Sequence, residues 1–353
     1  MKVLGIETSC DECSAAVVED GEIILSNVIA TQIPYHAPWS GVVPEIASRK
    51  HTEWIYAVTK EALDKAGLKV ENIDAVAVTS RPGLFGSLLV GLSFAKALAW
   101  ARNIPFIAVD HMLAHLYAPK LVSDNKPVIS AEPQSGEGSS PEYPFLGLLV
   151  SGGHTIICRA DNFDDITVMG TTIDDAAGEA FDKVAKFYNF GYPGGVVIDK
   201  MSHNGDSGAF RFPVPSLHKG EHRYDVSYSG LKTAVINQLD MFKVKKGSHT
   251  NEDIAASFQK TAVEILLRAV LNAAKDTGLC TIVAGGGVAA NSYLRSRLVE
   301  MAHLHCIFPP LDLCGDNAAM VAGIGYHYLA RGECSPLNIT AGARVTGFKK
   351  KYP

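Results

Sequence analysis

The sequence predicts an α/β protein in which one unit is written twice, folding as two lobes around a central cleft. Each half opens on short apolar runs joined by tight polar turns. Each half then alternates strand and helix patterns in the same order, and turns rich in glycine or serine follow strands at corresponding places.

In the first half, Lys2–Glu7, Ser14–Val18 and Glu22–Val28 are apolar runs separated by turns such as Glu19-Asp20-Gly21, the pattern of a β-meander. A long amphipathic stretch runs from Pro44 to Ala66, where Ile46, Ile55, Val58, Ala62 and Leu63 are spaced for one helical face. Strand Ala75–Thr79, helix Ser87–Ala101, strand Phe106–Val109 and a helix opening near His111 follow. The second half repeats the order. Pro144–Val150, Thr155–Arg159 and Ile166–Met169 form another meander, and helical patterns follow at Asp174–Tyr188, Val226–Leu239 and Asp253–Ala274. Strand Thr281–Ala284, helix Asn291–Ala302, strand His305–Phe308 and a helix from about Asp316 to Ala330 complete it.

The halves align by eye. Phe145-Leu146-Gly147-Leu148-Leu149-Val150-Ser151 stands where Val3-Leu4-Gly5-Ile6-Glu7-Thr8-Ser9 stood. Thr281–Asn291 answers Ala75–Ser87, and Cys306–Asp316 answers Phe106–His111. The expected organisation is an N-terminal lobe over residues 1–122, with part of the C-terminal helix packing back on it. A linker or surface loop at 123–142, rich in Ser, Pro, Gly and acidic residues, leads to a C-terminal lobe over 143–340. That lobe carries a helical insertion at about 174–250, and a basic tail occupies 341–353.

Composition bounds the function. A chain of 353 residues, 47% hydrophobic and 20% charged, is an ordinary globular protein with a sizeable core. Its formal charge of −5 excludes a protein that coats nucleic acid by bulk electrostatics, so a nucleic-acid substrate requires a local patch or a partner subunit. Met1-Lys2 runs straight into the strand-like Val3-Leu4-Gly5-Ile6, without a secretory signal, and no apolar stretch is long enough to span a bilayer. The seven cysteines are odd in number and scattered, as in a reduced, cytoplasmic protein. Cys10-Asp11-Glu12-Cys13 lies between two strands with no second pair at finger spacing, so it is set aside as a zinc or redox half-site. The lysine-rich Lys243–Lys246 and Lys349–Lys351 read as solvated surface.

Duplication makes one spacing informative. His111 and His115 stand i and i+4 at the start of the last helix of the first half, and so share a face. Asp316 stands at the start of the last helix of the second half. A pseudo-twofold axis between the lobes would set these helix starts opposite each other across the cleft. Two imidazoles and a carboxylate suit Fe²⁺, Zn²⁺ or Mn²⁺ with open coordination positions. On its own the pair could be two ordinary helical histidines, and it is no zincin helix, because position 112 is Met and not Glu.

Three turns follow strands: Ser9 to Ser14, Ser151-Gly152-Gly153-His154, and Gly285-Gly286-Gly287. Glycines admit phosphate oxygens to backbone amides, although no turn carries the Lys-Ser/Thr of a P-loop. Asp182, Gly194-Gly195 and Asp199 form a further group, the carboxylates suited to ribose hydroxyls and the glycines to close stacking by a base. Asn291, after the triple glycine, is either a ribose contact or a helix N-cap.

These motifs together resemble a known family. Gly5-Ile6-Glu7-Thr8-Ser9-Cys10-Asp11, the pair His111 and His115, Leu149-Val150-Ser151-Gly152-Gly153-His154-Thr155, Ile173-Asp174-Asp175, Phe181-Asp182-Lys183, Tyr192-Pro193-Gly194-Gly195, Gly286-Gly287-Val288 with Asn291, and Asp316-Asn317 are its signatures. The chain is similar, over nearly its whole length, to the bacterial tRNA N6-adenosine threonylcarbamoyltransferases. This is the TsaD family, once called O-sialoglycoprotein endopeptidases, of the actin-like ATPase superfamily (ASKHA, ribonuclease H-like). The resemblance implies transfer of a threonylcarbamoyl group from threonylcarbamoyl-adenylate to N6 of adenosine 37 in tRNAs reading ANN codons, with release of AMP. It implies one divalent metal per subunit, Fe²⁺ in the family, on His111, His115 and Asp316. Leu149, Val150, Ser151, Gly152, Gly153, Asp182, Gly195, Asp199 and Asn291 fall on the family's adenylate-binding positions. A TsaB-like paralogous subunit and a TsaE-like small ATPase are the implied protein partners. Leu113, Arg81 and Cys13 depart from the residues usual in the family, and 123–142 is longer than its typical connection, which touches partner contacts and none of the mapped ligands. A metal-dependent glycoprotease, an actin-like ATPase or kinase, and a non-catalytic scaffold are the competing readings.

Overall fold

In the computed structural model the described residues are 1–123, 141–215, 217, 220–244, 249–344 and 349–350. The linker expected at 123–142 falls almost wholly outside them, as do parts of Lys243–Lys246 and of the 341–353 tail.

The first half runs β1 (Lys2–Glu7), β2 (Glu12–Glu19), β3 (Ile23–Thr31), α1 (Ile33–His36), α2 (Pro44–Lys65), β4 (Ala75–Arg81), α3 (Phe85–Arg102), β5 (Phe106–Asp110), α4 (His111–Tyr117) and β6 (Val122–Ser123). The second runs β7 (Phe145–Val150), β8 (Thr155–Ala160), β9 (Ile166–Thr171), α5 (Ala177–Tyr188), α6 (Gly194–Ser202), α7 (Ser229–Val244), α8 (Asn251–Thr277), β10 (Thr281–Gly285), α9 (Ser292–Val299), β11 (His305–Ile307), α10 (Ala318–Ala330) and β12 (Lys349–Lys350). The sheets are ordered β5-β4-β1-β2-β3-β6 and β11-β10-β7-β8-β9-β12. Adding six to each strand of the first gives the second, so the duplication is written in the topology. In each sheet the leading three strands pair antiparallel and the next two add in parallel.

The chain divides into two units, Met1–Pro141 with Phe308–Phe348, and Glu142–Ile307 with Lys349–Pro353. This differs from the lobe expected over 143–340, because Phe308 onward joins the first unit. The reason lies in side-chain size. Strand β1 sends Leu4 and Ile6 to one face, where they pack in clusters that include Ile55, Val58, Ala62 and Leu63 of α2 and Leu92, Ala95 and Ala99 of α3. Gly5, on the opposite face, meets Ala318 and Ala322 of α10, and Gly325 of that helix meets Ala77 of β4. A helix faced with alanine and glycine can lie this close to a sheet. The small residues therefore bring α10, and with it Asp316, onto the first unit.

Local chemistry sets the ends of the elements near the site. Asp110 N-caps α4 by accepting hydrogen bonds from the Met112 and Leu113 amides at 2.9 and 3.4 Å. Asn317 caps α10 in the same way, from Met320 N at 3.1 Å. Both caps stand next to predicted metal ligands, so capping and ligand placement are coupled. In the second unit Thr250 and Asp253 form a capping box that starts α8. The predicted buried face of α8, including Ala255, Phe258, Ala262, Ile265, Leu266 and Ala269, is buried as expected. The short α1, β6 and β12, and helix α6, were not anticipated from pattern.

Candidate functional site

His111 is the first residue of α4 and His115 lies one turn on, both buried. Asp316 immediately precedes the cap of α10, and its Oδ1 lies 3.4 Å from His111 Nε2 and 3.2 Å from His115 Nε2. The candidate ligand atoms of the three residues all fall within 4.8 Å of one another. All three belong to the first unit, so the expected placement of Asp316 across a cleft from the histidines is replaced by convergence within one unit. Among the described residues this is the group of His, Cys, Asp and Glu side chains that can hold an ion.

A fourth residue stands behind them. Glu7, fully buried at the end of β1, places Oε2 3.0 Å from His111 Nδ1. Its carboxylate also accepts from the Thr79 hydroxyl and from the Ser9 amide. Burial alone would push the Glu7 and Asp316 carboxyls up, but the adjacent His111 holds Glu7 below, and Asp316 well below, the ordinary carboxylate range. Burial would likewise depress His111, yet the two carboxylates raise it well above an ordinary imidazole. For His115 burial prevails, reinforced by the charge on His111, and its pKa is lowered. His111 thus lies between two carboxylates. That is the electrostatic setting a divalent cation satisfies, and two imidazoles with one carboxylate are the donors first-row divalent ions take. The residues fit such an ion.

The second predicted set lies wholly in the other unit. Leu149 and Val150 are buried at the end of β7, their backbones in the ladder with β8. Ser151-Gly152-Gly153 forms the turn that follows, closed by Ser151 N to His154 O at 2.9 Å and His154 N to Ser151 Oγ at 3.1 Å. A Cβ at Gly152, Gly153 or Gly195 would meet nothing within 4 Å, so the fold of this unit leaves their backbones open to a ligand. Gly194 differs. Its Cβ would stand 2.7 Å from Asp182 Cα, and its amide donates to Asp182 Oδ1 at 2.7 Å. The third turn meets the second here: Gly286 has φ +92°, and a Cβ on it would lie 2.4 Å from the Val150 carbonyl oxygen.

Asn291 is the N-cap of α9, its Oδ1 accepting from Leu294 N at 2.9 Å. Its amide group donates to Asp199 Oδ1 at 3.1 Å and Gln259 Oε1 at 2.9 Å. Asp199 is further held by Ser292 through its amide and hydroxyl, at 3.1 and 2.8 Å. Of the two roles open for Asn291, the structure shows the cap, and adds that of a brace on Asp199. Gln259, Thr79 and Glu7 were missed as site residues. Each is a polar side chain in or at the end of a largely apolar run, with no spacing that marks it.

The family model described as "TsaD: tRNA N6-adenosine threonylcarbamoyltransferase" matches residues 23–323. A tRNA N6-adenosine threonylcarbamoyltransferase of Treponema denticola is 64% identical over 351 residues, covering 99% of each chain. The protein of that name from Borreliella burgdorferi strain ZS7 is 52% identical over 353 residues, covering 100% of this chain and 96% of its own. This chain belongs to that family. It is an enzyme of the transferase class. Among solved structures, full-length HypF in a phosphate- and nucleotide-bound form has a TM-score of 0.58 at 14% identity, covering 95% of this chain and 56% of that one. Component A of the Acidaminococcus fermentans (R)-2-hydroxyglutaryl-CoA dehydratase has a TM-score of 0.54 at 16% identity, covering 94% and 99%. At such identity the likeness speaks for the fold alone, and that fold is the duplicated actin-like one the sequence predicted. Among the described residues, no helix is long and apolar enough to cross a membrane.

Proposed function

We propose that this chain transfers the threonylcarbamoyl group of threonylcarbamoyl-adenylate to N6 of adenosine 37 in tRNAs reading ANN codons, forming t6A. The observation that carries the reading is the convergence of the buried His111 and His115 with the half-buried Asp316 in a chain so close, end to end, to named threonylcarbamoyltransferases. In the reaction the N6 amine attacks the carbamoyl carbonyl carbon, a C–N bond forms, the C–O bond to the phosphate breaks, and AMP leaves as N6 loses a proton. His111, His115 and Asp316 hold one divalent ion, Fe²⁺ by family resemblance, with Zn²⁺ and Mn²⁺ suited to the same donors. When bound, the ion supplies Lewis acidity that polarises the carbamoyl carbonyl and offsets charge on the departing phosphate.

The remaining residues position. The open amides of Gly152 and Gly153, in the turn that Ser151 closes beyond Leu149 and Val150, hold the phosphate. Asp182 and Asp199 take ribose hydroxyls, Gly195 lets the base lie close, and Asn291 keeps Asp199 aimed. Holding both reactants in place supplies much of the rate, because it removes orientational freedom before the chemical step. A chain of net charge −5 shares its tRNA surface with other subunits, for which a TsaB-like paralogue and a TsaE-like small ATPase are the proposed partners. Its free cysteines fit a reducing, cytoplasmic setting.

The test is reconstitution. Purified protein with its partners and threonylcarbamoyl-adenylate is expected to form t6A in tRNA, read by mass spectrometry of nucleosides. His111→Ala and Asp316→Ala are each expected to lose most of that activity. Full activity of both variants in metal-free protein would overturn the metal assignment, and wild-type protein forming no t6A would overturn the transfer reaction.

A further inference from the structure

We propose that Glu7 is a positioning residue for the metal centre: it holds the proton of His111 on Nδ1 and so commits Nε2 to the ion. The inference rests on the metal reading above and concerns a residue that binds neither ion nor substrate.

Glu7 is fully buried, and a buried carboxylate persists only where donors meet it. Its donors are the Ser9 amide on Oε1, the Thr79 hydroxyl on Oε2 and, at 3.0 Å, His111 Nδ1 on Oε2. An ionised carboxylate only accepts, so the ring nitrogen facing it must be N–H. The other polar atom near Nδ1, Ser9 Oγ at 3.3 Å, can take a share of the same proton. With the proton fixed on Nδ1, the ring can give an ion only its Nε2 lone pair, and that atom is the one beside Asp316.

Three separate elements keep Glu7 in place: its own strand β1, Thr79 of β4, and the turn that begins at Ser9. The support is one-sided. His115 Nδ1 is buried and has no hydrogen-bond partner among the described residues, so nothing comparable fixes the proton of the second histidine. His111 is thus the pre-set ligand of the pair. A carboxylate on the far nitrogen of a metal-bound imidazole also makes the ligating nitrogen more basic, and loss of such a partner typically weakens metal affinity by about 10–100-fold.

Two measurements on the full chain test this. Zn²⁺ affinity is measured by competition with a chelator for wild type and for Glu7→Gln, which keeps the shape and removes the charge. The expected result is a loss of about 10–100-fold with the variant still folded by circular dichroism. Independently, ¹⁵N-histidine NMR of the Zn²⁺-loaded wild type is expected to show His111 bound through Nε2, with a slowly exchanging proton on Nδ1. Binding through Nδ1, or Glu7→Gln binding Zn²⁺ as tightly as wild type, overturns the role of Glu7 and leaves the metal reading standing. Wild type that binds no Zn²⁺, Fe²⁺ or Mn²⁺ overturns both. The NMR arm needs no variant, so it decides even if Glu7→Gln does not fold.

Discussion

Gly5 of β1 lies directly against Ala318 of α10: a Cβ on Gly5 would stand 2.1 Å from the Ala318 carbonyl oxygen and 2.9 Å from Ala322 Cβ. Neither obstacle is a flexible chain end, so Gly5→Ala must push helix and sheet apart. Overpacking of this kind costs about 1–3 kcal/mol, sometimes more. Asp316 sits two residues before Ala318, whose amide is tied to Ser14 Oγ at 2.9 Å. A shift of α10 therefore also carries Asp316 away from the histidines. Gly5→Ala is expected to lower the denaturant midpoint and to weaken metal binding together. A variant as stable and as tight-binding as wild type would show that the close approach does not hold the site.

Asn291→Ala should act through two neighbours. It removes the N-cap of α9, worth about 1 kcal/mol. It also takes a donor from Gln259, which is buried, and from Asp199. A stability loss of about 2 kcal/mol is expected from the cap and the stranded acceptor together. AMP affinity, measured by calorimetry, should fall as well, because Asp199 loses one of its supports. Lower stability with unchanged AMP binding would leave Asn291 a cap alone.

Strand and helix order was legible from length and period: a six-residue apolar run between turns, Phe145–Val150, reads as buried strand by its length, and the spacing along Asp253–Ala274 as a helix face. The histidine pair was legible for the same reason, since i and i+4 share a face in any helix. Which unit Asp316 joins was not. That depends on Ala318, Ala322 and Gly325 nesting against Gly5 and Ala77, and small residues carry no directional signal in a sequence. Helix α6 was hidden by Gly194 and Gly195, poor helix formers, of which Gly194 is explained only by its close approach to Asp182. Glu7 was hidden because one acid at a strand end reads as a solvated edge. Its partners lie 72 and 104 residues away, at Thr79 and His111.

Glu12, on the second strand of the same unit, makes the pH dependence testable. Burial, helped by the negative charges of Asp11 and Asp316, pushes its carboxyl from 4.5 up to about 8, and Oε2 has no hydrogen-bond partner. In the unfolded chain the group ionises near 4.5, whereas in the folded protein it keeps its proton until about 8. Between those values the native state binds the extra proton, so unfolding releases it and stability falls as pH rises. The slope from one proton is at most about 1.4 kcal/mol per pH unit. Glu12→Gln retains an acceptor for the Thr31 hydroxyl, which donates to Oε1 at 3.0 Å, and has nothing to ionise. Its stability relative to metal-free wild type should be constant below pH 4.5, climb between 4.5 and 8, and level off above. Urea denaturation at a series of pH values measures the difference directly. A difference that stays flat from pH 4.5 to 8 would mean that Glu12 ionises in the fold as it does in the unfolded chain.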